Sequence, residues 1–157
     1  MLTRIDHVGI ACRSLDAAVE KYEGIFGLKV VSREVNEEQG VKEAMLEDSG
    51  SQDFLHARGT TRAPSPQAAS YVQLLEPLAV DTPVGKFLER RGEGVHHVGY
   101  AVADVTEALE SISAKGVRLV DERPRHGSMG ASIAFLHPGD LGGVLTELVQ
   151  PAVKPET

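Results

Sequence analysis

The chain has 157 residues, enough for one compact unit or two small halves, which excludes a multidomain enzyme. Hydrophobic residues make up 41% and charged residues 25%, as in soluble globular chains, but aromatics are only 4% and tryptophan is absent, so the core must be aliphatic. Sixteen Lys and Arg against 23 Asp and Glu leave a net charge of −7, which argues against nucleic acid or an anionic membrane as the partner; an anionic ligand would need a metal or a few placed cations. The absence of a long apolar run and of an apolar segment at the start, together with a single cysteine, Cys12, reads as a cytoplasmic protein.

Residues 2–12 alternate as a strand, and Ser14 is placed to cap a helix over 15–26 that Gly27 ends. Strands are expected over 28–35 and 41–48, then a turn-rich loop over 57–68 and a strand over 69–76. Thr82 or Asp81 caps a linker helix that runs from Pro83 to Arg91 and stops at Gly92. A strand over 94–103 leads to Asp104, which with Glu107 has capping-box spacing for a helix over 105–115, stopped by Gly116. Strands over 117–122, 131–137 and 143–150 complete the chain.

The second run of elements repeats the first. His7-Val8-Gly9-Ile10-Ala11 returns 90 residues later as His97-Val98-Gly99-Tyr100-Ala101. Gly27-Leu28-Lys29-Val30-Val31 is answered by Gly116-Val117-Arg118-Leu119-Val120, and Gln73-Leu74-Leu75-Glu76-Pro77 by Glu147-Leu148-Val149-Gln150-Pro151. The fold class is therefore α+β: two tandem βαβββ modules, repeat 1 over about 2–77 and repeat 2 over about 94–151, in a single domain of paired curved sheets around a cavity.

Strand parity places His7, Gly9 and Ala11 on one face, and His97, Gly99 and Ala101 on the corresponding one. An imidazole backed by two small residues has space beside it, while the apolar face of Val8 and Ile10 should lie under the helix. A pseudo-twofold axis that relates His7 to His97 also relates Gln73 to Glu147, so two nitrogens and two oxygens should converge. Such a set suits a divalent first-row ion with open positions, whose charge is only partly neutralised. Glu43 shares a face with Val41 and Met45, and its counterpart in the duplicate is Ile133; it is either an inward carboxylate or an edge residue in solvent. His56, His96, His126 and His137 read as ordinary solvated histidines, and Cys12 as a small core residue.

The segments His7-Val8-Gly9-Ile10, Gln73 to Leu78, Gly92 to Val98, and Ala134 through Leu148 resemble the methylmalonyl-CoA epimerases, a family of the vicinal oxygen chelate superfamily, over roughly 2–150. The superfamily also holds glyoxalase I, extradiol dioxygenases and bleomycin resistance proteins. The resemblance implies a divalent metal, commonly Co2+ with Mn2+ or Zn2+ as substitutes, on His7, Gln73, His97 and Glu147. It further implies Glu43 and Glu147 as the acid and base, an acyl-CoA substrate from propionyl-CoA metabolism, and a homodimer. Many relatives carry Glu where this chain has Gln73; an amide oxygen still ligates but leaves the site one negative charge poorer. Lys86, Arg123 and Arg125 are candidates for CoA phosphates. The alternatives are a glyoxalase I-like isomerase or extradiol dioxygenase, and a non-catalytic small-molecule-binding protein on the same scaffold.

Overall fold

The computed structural model describes residues 1–48 and 70–153; the expected loop over 57–68 lies outside them. In chain order the elements are β1 (Leu2–Ala11), α1 (Leu15–Phe26), β2 (Leu28–Asn36), β3 (Val41–Asp48), β4 (Tyr71–Pro77), α2 (Pro83–Arg91), β5 (Gly94–Val102), α3 (Val105–Ser113), β6 (Arg125–His126), β7 (Ser132–Leu136) and β8 (Thr146–Gln150). They fall into two compact units that cut across the repeat: Ala11–Gly94, and Met1–Ile10 together with the chain from Val95 onward. The first strand of the first repeat thus belongs with the second repeat.

In the unit Ala11–Gly94, β2, β3 and β4 form an antiparallel ladder. Helix α1 starts where the Ser14 hydroxyl accepts from the Ala17 N–H at 3.3 Å, and ends at Gly27, whose φ of 67° is the left-handed conformation that closes a helix. It buries Leu15 and Val19, one turn apart on the same face. Helix α2 begins with Pro83 and is capped by Thr82, whose Oγ1 accepts from the Gly85 N–H at 3.1 Å; Asp81 is not the cap. Val84 and Leu88 of α2 pack with Ala11, Val41 and Leu75 in an aliphatic core. Cys12 is buried there and donates its thiol to the Leu75 carbonyl at 3.4 Å; burial pushes its pKa up to about 11, helped by the nearby carboxylate of Glu76.

In the other unit the strands lie in the order β1, β5, β8, β7, β6. Strands β5 and β8 run parallel, with Gly99 opposite Glu147, and β7 runs antiparallel to β8, with Phe135 opposite Glu147. Helix α3, capped by the Asp104 carboxylate on the Glu107 N–H at 2.9 Å, covers this sheet through Val105, Ala108 and Leu109 against Ala134, Leu136 and Leu148.

Several expected strand boundaries shift by one or two residues, and three further differences each have a local cause. The strand expected over 117–122 is reduced to a single bridge between Leu119 and Leu136. The N–H groups of Val120 and Asp121 both turn to the Phe135 carbonyl, Asp140 holds the Arg118 N–H, and Pro124 lacks an N–H to extend a ladder. Strand β8 starts at Thr146, not 143, because Gly142 and Gly143 have φ of 69° and 82° and form a turn closed by the Pro138 carbonyl. Helix α3 stops at Ser113 as its last N–H groups tighten, Lys115 to Ile112 and Gly116 to Ser113. The two-residue strand β6 was not expected. Among the described residues no helix is long and apolar enough to cross a membrane.

Two outcomes follow from this packing. Thr82→Ala should cost about 1 kcal/mol in urea denaturation while Asp81→Ala stays within about 0.5 kcal/mol of the parent. At pH 8 the native Cys12 thiol should react with a disulfide reagent on the order of a hundredfold more slowly than in the unfolded chain, because a raised pKa withholds thiolate. The folded state keeps this proton more tightly, so stability contributed by the neutral thiol is present below pH 9 and is lost as pH rises toward 11.

Candidate metal centre

Strands β1 and β5 are neighbours, and each carries a His-x-Gly step with both residues buried. The two steps fit into one another. A Cβ at Gly9 would lie 2.5 Å from Nδ1 and 2.7 Å from Nε2 of His97, and a Cβ at Gly99 would lie 2.6 Å and 2.9 Å from the same atoms of His7. Side-chain carbons do not approach ring atoms so closely, so the space beside each glycine belongs to the other repeat's imidazole. The rings meet edge to face with centroids 5.0 Å apart, and their Nε2 atoms are 2.9 Å apart.

Glu147 on β8 completes the group. Its Oε2 lies 2.8 Å from His7 Nε2 and 3.4 Å from His97 Nε2. His7 is 3%, His97 3% and Glu147 4% exposed, so three ligand-type atoms face one another out of water. The distance from Glu147 Oε2 to His7 is that of an ion pair, but the alignment falls short of a hydrogen bond, leaving this buried oxygen without a directed partner. Two imidazole nitrogens and a carboxylate oxygen within 4.8 Å of one another form a donor set that fits a divalent first-row ion.

The electrostatics keep the group poised. Burial disfavours a charge on His7, but the hydrogen bond to Asp6 and the close carboxylate of Glu147 outweigh it and raise its pKa from 6.5 to about 9. Burial likewise opposes the Glu147 carboxylate, yet the two histidines hold its pKa down at about 2. His97, fully enclosed, is pushed down by burial first and by His7 as well. Phe135 presents its ring edge-to-face to His97 at 5.4 Å and carries the Arg125 guanidinium 5.9 Å above it; Arg125 is ion-paired with Asp121 at 3.0 Å.

Two neighbours were missed in the sequence. Asp6 Oδ2 is 3.1 Å from His7 Nδ1, and His96 Nδ1 is 3.0 Å from His97 Nδ1. His96 is thus not a merely solvated residue; burial and the adjacent His97 push its pKa down to about 4. Strand parity sends adjacent side chains to opposite faces, which hid both pairs, but the repeat held the signal: each ligand-type histidine is preceded by a polar residue. Val8, Ile10, Val98 and Tyr100, expected on the better covered face, are only partly buried, while the His-Gly-Ala face is enclosed.

Glu43 and Gln73 belong to the other unit. Glu43 is 2% exposed on β3, which rules out the solvated edge position, and accepts a 2.7 Å hydrogen bond from Gln73 Nε2 on β4. With Nε2 so engaged, the oxygen is the atom that the Gln73 amide can offer a cation. The counterpart of Glu43, Ile133, is buried among Ala131, Phe135 and Val149.

The glycine fit makes a direct forecast. Gly9→Ala and Gly99→Ala should each destabilise the fold by about 1–3 kcal/mol, the usual cost of overpacking, and weaken Zn2+ binding in calorimetry as the opposite imidazole is displaced. Unchanged stability and unchanged ion affinity in both variants would refute the reciprocal packing.

Comparison with known proteins agrees with this geometry. Residues 6–135 match the Glyoxalase/Bleomycin resistance protein/Dioxygenase superfamily. A solved methylmalonyl-CoA epimerase in complex with methylmalonyl-CoA and NH4+ is 51% identical, with a TM-score of 0.85 over 98% of this chain and 97% of that one. A Streptomyces coelicolor methylmalonyl-CoA epimerase variant in complex with 2-nitronate-propionyl-CoA is 49% identical, with a TM-score of 0.85 over 98% of this chain and all of that one. The protein YqjC of Bacillus subtilis (strain 168) is 36% identical over 151 residues, which are 96% of this chain and 94% of the relative. The α+β chain has the vicinal oxygen chelate fold and belongs to the glyoxalase/bleomycin resistance/dioxygenase superfamily, alongside its methylmalonyl-CoA epimerases.

Proposed function

We propose that the protein is an isomerase that interconverts (2R)- and (2S)-methylmalonyl-CoA by removing and returning the proton at C2 through an enolate. The observation that carries this reading is the buried meeting of His7, His97 and Glu147, in a chain about half identical to epimerases solved with acyl-CoA ligands. His7, His97 and Glu147 would hold a divalent ion, Co2+ or else Mn2+ or Zn2+, with Gln73 as fourth ligand on the strength of the repeat that pairs it with Glu147. When bound, such an ion supplies Lewis acidity toward oxygens of the substrate.

The remaining work falls to carboxylates. Inversion at carbon needs a group on each face of the enolate, one to take the proton and one to return it. Glu43 serves one face and Glu147 the other. The 2.7 Å bond from Gln73 orients the Glu43 carboxylate, which is buried away from water. The chain acts as one domain over 1–157, as a cytoplasmic homodimer in this reading. A glyoxalase I-like isomerase remains the second reading; the acyl-CoA ligands of the relatives favour the epimerase.

The deciding experiment incubates cation-loaded protein with (2R)- or (2S)-methylmalonyl-CoA in D2O and follows C2 by NMR. Deuterium should enter as the epimers interconvert; a loaded enzyme that neither exchanges nor inverts C2 would falsify the assignment. His7→Ala and His97→Ala should each fail to hold a stoichiometric cation in elemental analysis. Glu43→Gln should keep its cation while epimerisation falls by about two to four powers of ten, the range for a positioned proton-transfer group. Near-normal turnover in that variant would leave Glu147 or water as the only proton carriers.

A further inference from the structure

The His96–His97 contact has chemical content beyond packing. Two Nδ1 atoms 3.0 Å apart can share only one proton, so one imidazole donates and the other accepts. If His96 donated, the proton of neutral His97 would sit on Nε2, among His7 Nε2 at 2.9 Å and Glu147 Oε2 at 3.4 Å, and that nitrogen could not ligate. If His97 donates, its Nε2 lone pair faces the other two ligand atoms. We propose that His96 is a positioning residue that accepts the Nδ1 proton of His97 and so holds the Nε2 lone pair ready for the cation. This rests on the metal-dependent reading given above.

The other repeat shows the direction of the bond. Asp6 precedes His7 as His96 precedes His97, each pair 90 residues from its duplicate, and Asp6 Oδ2 stands 3.1 Å from His7 Nδ1. An ionised carboxylate can only accept, so His7 must donate from Nδ1, and Nε2 becomes the ligating nitrogen once a cation displaces its proton. His96 occupies the equivalent place on β5 with an imidazole in place of the carboxylate. The substitution has an electrostatic logic. Asp6 is balanced by Arg4, whose guanidinium is 2.8 Å from Oδ1, whereas the position equivalent to Arg4 is Gly94. A second carboxylate would therefore be part-buried without that counter-ion, and a neutral acceptor avoids the cost.

The test uses the whole protein with Zn2+ as probe. Long-range 1H–15N NMR of 15N-histidine-labelled protein, without added cation and above pH 9 so that His7 is neutral and does not itself set the His97 tautomer, should show the His97 proton on Nδ1. His96→Leu should weaken Zn2+ binding in calorimetry by about 10–100-fold, the usual loss when a ligand's outer partner is removed. His96→Asn, whose amide oxygen has the reach that Asp6 demonstrates, should restore affinity to within a few-fold of the parent. A His97 proton on Nε2, an undiminished affinity in the Leu variant, or an equal loss in the Asn variant would each overturn the proposal. Should the Leu variant fail to fold, the tautomer in the unsubstituted protein decides alone. Failure of the unsubstituted protein to bind Zn2+ would count against the metal reading, and the His97 tautomer would still decide the role of His96.

Discussion

His7 stands in the space that Gly99 leaves and His97 in the space that Gly9 leaves, and this reciprocal fit governs the rest of the centre. Any larger residue at either glycine would collide with the opposite ring, so the register of β1 against β5 and the presence of both imidazoles are one constraint. The fit brings two Nε2 atoms to 2.9 Å and buries both rings almost wholly. Buried polar rings must then find partners, because an unpaired polar atom away from water costs about 1–3 kcal/mol. Asp6, His96 and Glu147 are those partners, and each arrives from a fixed position on the same sheet.

Duplication supplies a symmetric frame, and single substitutions make it unequal. Asp6 is answered by His96, Gln73 by Glu147 and Glu43 by Ile133. Each exchange moves one negative charge. Where the second repeat has Glu147, Gln73 carries a neutral amide, whose N–H holds the Glu43 carboxylate. Ile133 instead joins Ala131, Phe135 and Val149 in a hydrophobic cluster, so the duplicate of the Glu43 position has become core. The result is a centre with one anionic donor against two imidazoles, which suits retained positive charge on a bound cation.

The wall beside His97 is built from an otherwise aromatic-poor chain. Phe135 lies opposite Glu147 across β7 and β8, and its ring edge meets His97 while Arg125 covers it. Arg125 in turn is tied to Asp121, which also accepts from the Phe135 N–H at 2.9 Å. That arrangement occupies the part of the second repeat where the first has a full strand. Losing the ladder over 117–122 frees its N–H groups to converge on Phe135 and fix the residue that packs against His97.

Much of this was legible along the chain. The helix over 15–26, its Ser14 cap and Gly27 stop, the strand over 41–48 and the helix from Pro83 to Arg91 depend on periodicity and on hydrogen bonds between residues a few positions apart, and such interactions are written locally. The repeat made His7, His97, Gln73 and Glu147 stand out together, because duplication turns a weak single-residue signal into a paired one. Other features needed the third dimension. Parity alone placed Asp6 and His96 away from the histidines they serve, since it describes where side chains leave the backbone and not where they bend. Whether Glu43 faced solvent or protein depended on strand pairing with β4, and the purpose of Gly9 and Gly99 depended on a ring 90 residues distant. Local chemistry writes elements and caps into the sequence; packing between distant strands decides which atoms meet, because that choice is made by excluded volume and by the need to pair every buried polar group.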